Sequence, residues 1–281
     1  MGKGMFKPEE GSVAAPFTTY HYLSQLEIDF KAPVLRTEKL NVLVGYKYFI
    51  ENYDLNEIGA DFSSTFNTLN DHHLKSNSLS LYMTRPLNET KYLALRFRYS
   101  TNGNYRNWIN FNPKYAIYKG LVVYGIKPHE DLEWGIGLSF SQSFRRTYLI
   151  PFLIYNRNFN DHWGLEAVLP ASIQLRYNIN PKNLALFGFE YESQSYRLSV
   201  EETPQPTFDY AFNRSAVLVY GTLEHQFFRW IWSSLKFGFQ MNFSTEFEGK
   251  TDLTSGFRVE PSNGLFISLG FFISPPDDLF D

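Results

Sequence analysis

The chain has 281 residues, no cysteine, and a formal net charge of −3 from 26 basic and 29 acidic residues. These figures exclude a disulfide framework, thiolate metal sites and a cysteine nucleophile, and no basic stripe marks a nucleic-acid footprint. Aromatic residues reach 18%, yet mean hydropathy is only −0.30. Those two values agree if apolar and polar side chains alternate along many strands, because a lipid-facing barrel needs apolar groups on one face only.

Taken in chain order, residues 1–16 (MGKGMFKPEEGSVAAP) lack the basic start and apolar core of a secretory leader. From residue 17 onward the dominant period is two. Tyr20, Tyr22, Leu26, Ile28 and Phe30 alternate with His21, Gln25, Glu27, Asp29 and Lys31. Val42, Val44, Tyr46, Tyr48 and Ile50 oppose Asn41, Gly45, Lys47 and Glu51. Leu93, Leu95, Phe97 and Tyr99 oppose Ala94, Arg96, Arg98 and Ser100. The same pattern recurs over 134–141, 173–179, 187–192, 235–243 and 265–273, the last followed by Pro275 and Pro276. These segments exceed the roughly 5–6 residues of an ordinary strand and match the roughly 9–11 needed to cross a bilayer as a tilted strand. No apolar run approaches the roughly 18 residues of a membrane helix; the longest, Leu149 to Tyr155, is strand-sized.

Connections sort into two lengths. Short turns are expected at 35–39, 86–90, 128–132, 158–162, 179–183 and 227–230, and longer loops at about 52–73, 101–111, 199–208 and 248–262, which the short-periplasmic, long-external rule assigns outside. Tight hairpins are expected near 145–147 and 169–171, where Pro170 suits a turn better than a paired strand. The chain therefore reads as all-β: a transmembrane up-and-down antiparallel β-barrel of roughly 12–14 strands, in an outer membrane. About thirteen crossings are visible, whereas single-chain barrels usually have an even number. Residues 1–16 are accordingly read as the stub of a first strand plus a loop, 17–274 as the barrel and 275–281 as a short periplasmic tail.

Three stretches resemble a family. They are Gly164 to Asn183 (GLEAVLPASIQLRYNINPKN), Phe189 to Leu198 (FEYESQSYRL) and Gly264 to Phe272 (GLFISLGFF), joined by Phe30 to Pro33 (FKAP). Together they are similar to uncharacterised outer-membrane β-barrel proteins typical of Bacteroidetes. The resemblance implies a barrel fold, an outer-membrane location and a strand preceding the matched region, and it carries no activity. The tail Ser274 to Asp281 departs from barrels that end on an aromatic residue.

Alternation places Glu27, Asp29, Lys31, Lys47, Glu51, Arg96, Arg98, Arg145, Arg176, Glu190, Glu192, Lys236 and Glu246 on the face opposite the apolar stripe. A charge facing lipid at mid-depth costs about 2–4 kcal/mol for Arg or Lys, so these residues are expected to line the lumen. They would either select a solute or neutralise one another, and the similar numbers of each sign favour mutual pairing. His73 and Ser76 fall on opposite faces of an extended strand, so they do not form a base–nucleophile pair. No catalytic residue, cofactor or metal is expected, and Trp108, Trp134, Trp163, Trp230 and Trp232 read as interfacial girdle residues. The expected role is a non-catalytic structural or accessory subunit of an outer-membrane assembly. The alternative is a small-solute channel or transporter, and a barrel lipid hydrolase ranks below both. The expected partners are outer-membrane lipid, lipopolysaccharide and other outer-membrane proteins or lipoproteins, with no nucleic acid.

Overall fold

The computed structural model describes residues 4–8, 18–57, 63–144, 146–200, 208–249 and 257–274. In chain order the elements are β1 (Gly4–Pro8), β2 (Thr18–Arg36), β3 (Asn41–Glu57), helix α1 (Ser63–Asp71), β4 (Leu74–Pro86) and β5 (Lys91–Gly103). A single 3-10 turn at Pro113–Tyr115 leads into β6 (Ala116–His129), β7 (Leu132–Gln142), β8 (Thr147–Asn158), β9 (Trp163–Leu169) and β10 (Ser172–Asn180). The remainder are β11 (Asn183–Val200), β12 (Phe208–Gln226), β13 (Ile231–Gly249), β14 (Phe257–Pro261) and β15 (Gly264–Ile273).

All fifteen strands belong to one sheet in which sequence neighbours pair antiparallel from β1 to β13. Strand β13 also pairs with β14, and β14 with β1, so hydrogen bonding runs round a full circuit at one end. Strand β15 continues the line of β14 along β13, from Gln240 opposite Gly264 to Ile231 opposite Ile273. The five-residue β1 thus sits between β2 and β14, the place that parity assigned to a further strand. A second closure lies across the circuit. The end of β5 meets β11, with Gly103 opposite Arg197 in parallel register, and closes strands β5 to β11 into a seven-strand barrel with the other strands outside it.

The six short turns form where expected, and their chemistry is local. Asn88 Oδ1 accepts from the amides of Thr90 and Lys91, and Asn160 Oδ1 from those of His162 and Trp163. These side-chain turns hold the chain for an immediate return. The hairpins at Ser143–Arg146 and Pro170 form at the opposite end, the latter through a cis Leu169–Pro170 bond. The stretch expected as a loop over 52–73 is more ordered than that. Strand β3 runs on to Glu57 and α1 occupies Ser63–Asp71. The helix is only nine residues long, too short for its periodicity to stand out beside the strands.

Burial inverts the usual arrangement. Leu26, Ile28, Phe30, Leu95, Phe97, Ile136, Phe187, Phe237, Leu265, Leu269 and Phe271 are all exposed on the outer wall. Fully buried side chains instead gather inside, at the loop end. Phe66 and Leu69 of α1 pack with Tyr53, Leu74, Tyr196, Leu198, Phe212 and Phe247. Phe212 stands 4.8 Å from Phe247, centroid to centroid, and Phe66 meets Phe247 edge-on at 6.0 Å. The helix therefore acts as a stopper in the mouth.

The β5–β11 seam is completed by asparagines. Asn102 Nδ2 donates to the carbonyl of Ser195 and Asn104 Nδ2 to that of Ser199, while the Ser199 amide donates to Asn104 Oδ1. Gly103 lies between them where no side chain fits: a Cβ there would stand 2.6 Å from the Arg197 carbonyl oxygen and 2.4 Å from Tyr115 Cδ1. Gly103→Val should therefore lower stability by about 1–3 kcal/mol through overpacking. Gly120→Ala, whose nearest neighbour is 3.9 Å away, should stay within about 0.5 kcal/mol of wild type. Thermal unfolding followed by circular dichroism checks both, and equal midpoints for the two variants would refute the seam's contribution.

Candidate functional site

The interior of the circuit is where charged side chains converge. Opposed residues in an antiparallel pair project to the same face, so register fixes which ones share the lumen. Beneath the stopper lies a buried polar layer. Glu51 on β3 accepts from Arg214 Nη2 on β12 at 2.7 Å, from Gln25 Nε2 at 3.2 Å and from the hydroxyl of Tyr196 on β11. Strand β3 is not a sheet neighbour of β11 or β12. The Glu51–Arg214 pair therefore crosses the lumen, and it is almost wholly buried, with side-chain exposures of 0% and 10%.

Lower down, several of the sequence-derived lumen charges pair along their own wall. Lys47 Nζ meets Glu27 at 2.7 Å, Lys31 meets Asp29 at 3.2 Å and Lys236 meets Glu190 at 3.2 Å. Arg176 Nε stands 4.0 Å from Glu166, and its Nη2 donates to Asn158 at 2.6 Å. Glu192 lies beside Glu190 and near Arg214. Among the described residues, Arg96 and Arg98 have no carboxylate within ion-pair distance. Arg98 Nε donates to Ser80 Oγ at 3.1 Å, and Arg96 stacks its guanidinium 5.2 Å from the Tyr82 ring centre. Arg145 lies outside the described residues.

One assignment changes. Glu246 was placed in the lumen by alternation, but a bulge intervenes. Asn242 pairs with Ala216 and Ser244 with Ser215, so Phe243 is an extra residue and the faces swap beyond it. Thr245 and Phe247 point inward and are buried, while Glu246 and Glu248 turn to the other face and receive the guanidinium of Arg146 from the β7–β8 turn. Arg214 and Lys119 were missed altogether. Both sit on strands whose inward faces mix charge with Phe212, Leu218, Ile117 and Val123, so period-two contrast is lost.

Of the remaining candidates, Ser76 is buried and its hydroxyl donates to Asn102 Oδ1 at 2.7 Å, while His73 stays exposed between α1 and β4. Trp134, Trp163 and Trp230 lie near the short turns and Trp108 at the opposite end. Trp108 belongs to the loop between β5 and β6, which folds back over the outer wall. There Tyr48 stacks on Trp108 at 5.9 Å, and Asn77 Nδ2 donates to the Tyr105 hydroxyl and the Trp108 carbonyl. Burial pushes the Tyr105 hydroxyl up to about 12, so it stays protonated and donates to the Thr101 carbonyl.

The same loop is fastened to β11 and β12 through Asp209. That carboxylate accepts from Arg197 Nη2 at 2.7 Å and from Ser199 Oγ at 2.9 Å, with Lys114 Nζ at 3.4 Å. Burial alone raises a carboxyl, but the bonds from Arg197 and Ser199 and the charges of Arg197 and Lys114 outweigh it and hold Asp209 below its ordinary value.

The family described as Domain of unknown function (DUF6268) matches residues 60–251, more than half of the chain, and the chain belongs to that family. The match runs from just before α1 to just past β13, so it includes the helix α1, Arg214 of the buried ion pair and the β5–β11 seam, while Glu51 precedes it. No curated protein matches the chain.

Two outcomes follow for this polar framework. Removing one partner of a buried pair leaves an uncompensated charge, so Glu51→Gln or Arg214→Met alone should each cost about 3–5 kcal/mol. The Glu51→Gln/Arg214→Met double variant should recover most of that loss, and a double-mutant cycle on thermal midpoints reads the coupling. Asp209, with its folded pKa depressed, stabilises at neutral pH, and that contribution is lost as pH falls through its folded value. The wild-type midpoint should therefore converge on that of Asp209→Asn below the usual carboxylate range. Curves that stay parallel at all pH values would rule the contribution out.

Proposed function

We propose that this chain is a bacterial outer-membrane β-barrel with a closed lumen, acting as a non-catalytic structural or accessory subunit of an outer-membrane assembly. The membrane reading rests on the inverted burial. Exposed contiguous apolar area on a soluble monomer rarely exceeds a few hundred Å². Here the apolar faces of β2, β5, β7, β13 and β15 point outward, while Glu27, Asp29 and Lys31 of β2, Arg96 and Arg98 of β5 and Lys236 of β13 share the opposite face. Exposed Trp134, Trp163, Trp230 and Phe228 gather near the short turns, as an interfacial girdle does. On this reading the short turns are periplasmic, the loop end is external, and lipid and lipopolysaccharide are the first partners.

The accessory role rests on one observation, the stopper. Phe66 and Leu69 fill the mouth, and the Glu51–Arg214 bridge crosses the lumen beneath them. An ion-conducting path needs a wetted lumen, and a dry apolar cluster over a cross-lumen ion pair opposes one. A second reading, a gated small-solute channel, draws on the cations Arg96 and Arg98, which have no carboxylate partner among the described residues.

Planar-bilayer recording separates them. Purified wild-type protein should insert and give no sustained current, whereas replacing Ser63–Asp71 by a flexible Gly-Ser linker should yield stable openings. Steady wild-type openings would favour the channel, and failure of both proteins to insert into lipid would sink the membrane reading.

A further inference from the structure

We propose that the β4–β6 wall of the lumen is a binding site for a phosphoryl-bearing oxyanion, built from Arg96, Arg98 and Lys119. Register brings these three together. On β5, Arg96 and Arg98 are successive inward residues, and Arg98 lies directly opposite Lys119 on β6. Like charges directly opposite one another destabilise a strand pair. Here the cost is compounded, because Arg96 and Lys47 also bear on Lys119 with the same sign. Lys47 has Glu27 at 2.7 Å, but among the described residues no carboxylate lies within ion-pair distance of Arg96, Arg98 or Lys119.

Elsewhere in the lumen the same fold pairs its cations: Lys236 with Glu190, Arg214 with Glu51, Arg176 with Glu166. The unpaired group on one wall is therefore a local departure. It leaves donors unused. Among the described residues, Arg96 Nε is buried without a hydrogen-bond partner, and Arg98 donates from Nε to Ser80 alone. Arg96 has Tyr82 and Leu121 opposite it, and the other cations have hydroxyl side chains opposite them on the same face. Ser80 lies opposite Arg98 on β4, Ser141 opposite Lys119 on β7, and Ser78 opposite Lys47.

Guanidinium forks with neighbouring hydroxyls suit the several oxygens of a phosphoryl group, which accept bidentate charge-assisted bonds. Three uncompensated cations call for an anion of more than one charge. The site lies toward the short turns from Glu51 and the stopper, because Lys47 precedes Glu51 along β3 and pairs with Ser78, two residues before Ser80. It needs an interior rather than a current, so it stands apart from the closed-or-gated question and from insertion into lipid.

Calorimetric titration of inorganic pyrophosphate into the full chain in detergent micelles at low salt tests this directly. Wild type should give saturable binding. Arg96→Gln, Arg98→Gln and Lys119→Gln should each weaken it by about tenfold or more, the effect of losing one charge-assisted contact. Arg176→Gln, on the paired wall, should leave the affinity within about twofold of wild type. Malonate, a dianion without a phosphoryl group, should bind at least about tenfold more weakly. Because Lys119→Gln relieves like-charge repulsion, its ligand-free thermal midpoint should rise, while pyrophosphate should raise the midpoint of wild type by more than that of this variant. Absence of saturable wild-type binding, or affinity unchanged in all three cation variants, overturns the site. Equal affinity for malonate overturns its phosphoryl character.

Discussion

A strand sends successive side chains to opposite faces, and once strands close into a circuit one of those faces has no way out. This constraint orders the rest of the molecule. The outer wall takes Leu26, Ile28, Phe30 and their counterparts, and whatever is charged on the same strands must find partners within the lumen. The interior answers in two ways, with a dry cluster around Phe66 and Phe247 at one end and an ion-pair layer from Glu51 downward. The helix α1 is what lets both coexist. By occupying the mouth it shields Tyr53, Tyr196 and Leu198, inward-facing residues that water would otherwise reach.

Bending the circuit adds a second constraint. Strands β9 and β10 are short, seven and nine residues, whereas β11 and β12 run to 18 and 19. The upper part of β11 therefore extends past its neighbour, since β10 covers it only as far as Glu190. An uncovered edge presents unpaired amides and carbonyls. The end of β5 supplies the missing partners through Gly103, Asn102 and Asn104. The seven-strand closure is thus a consequence of unequal strand lengths, and the absence of a side chain at Gly103 makes the approach possible.

Much of the architecture was legible in the sequence because period-two alternation depends on neighbours two residues apart and survives without tertiary knowledge. The short turns carry Asn88 and Asn160 in positions where the side chain replaces a backbone acceptor, and those are local signals too. What escaped depends on distant partners. Nothing near Arg214 in the chain announces Glu51, which lies on a strand that is not its neighbour. Nothing near Gly103 announces β11. Glu246 was misplaced because one extra residue, Phe243, reverses every face beyond it. A bulge is invisible to a count that assumes an unbroken period. The lumen charges at Lys47, Lys236 and Arg176 were placed by the same alternation that hid Lys119, since β6 carries Ile117, Leu121 and Val123 on the inward side as well.

The distribution of those charges bears on what the barrel is for. A lumen that served only as filler would lower its free energy most by setting each cation beside a carboxylate, because like charges directly opposite one another destabilise a strand pair. On the β9–β13 wall Arg176 meets Glu166 and Lys236 meets Glu190, and Arg214 reaches Glu51 of β3 across the lumen. The β5–β6 wall has no such pair among the described residues. There Arg98 faces Lys119 across a strand pair, and Arg96 has a Tyr82 ring where a carboxylate would stabilise it more. Residues that break a local rule without internal compensation are where function is to be sought. Here the compensation is missing on one wall only, beside hydroxyls that can donate, at a level the stopper does not reach. Packing alone accounts for the closed mouth, but it gives no reason to collect three like charges below it.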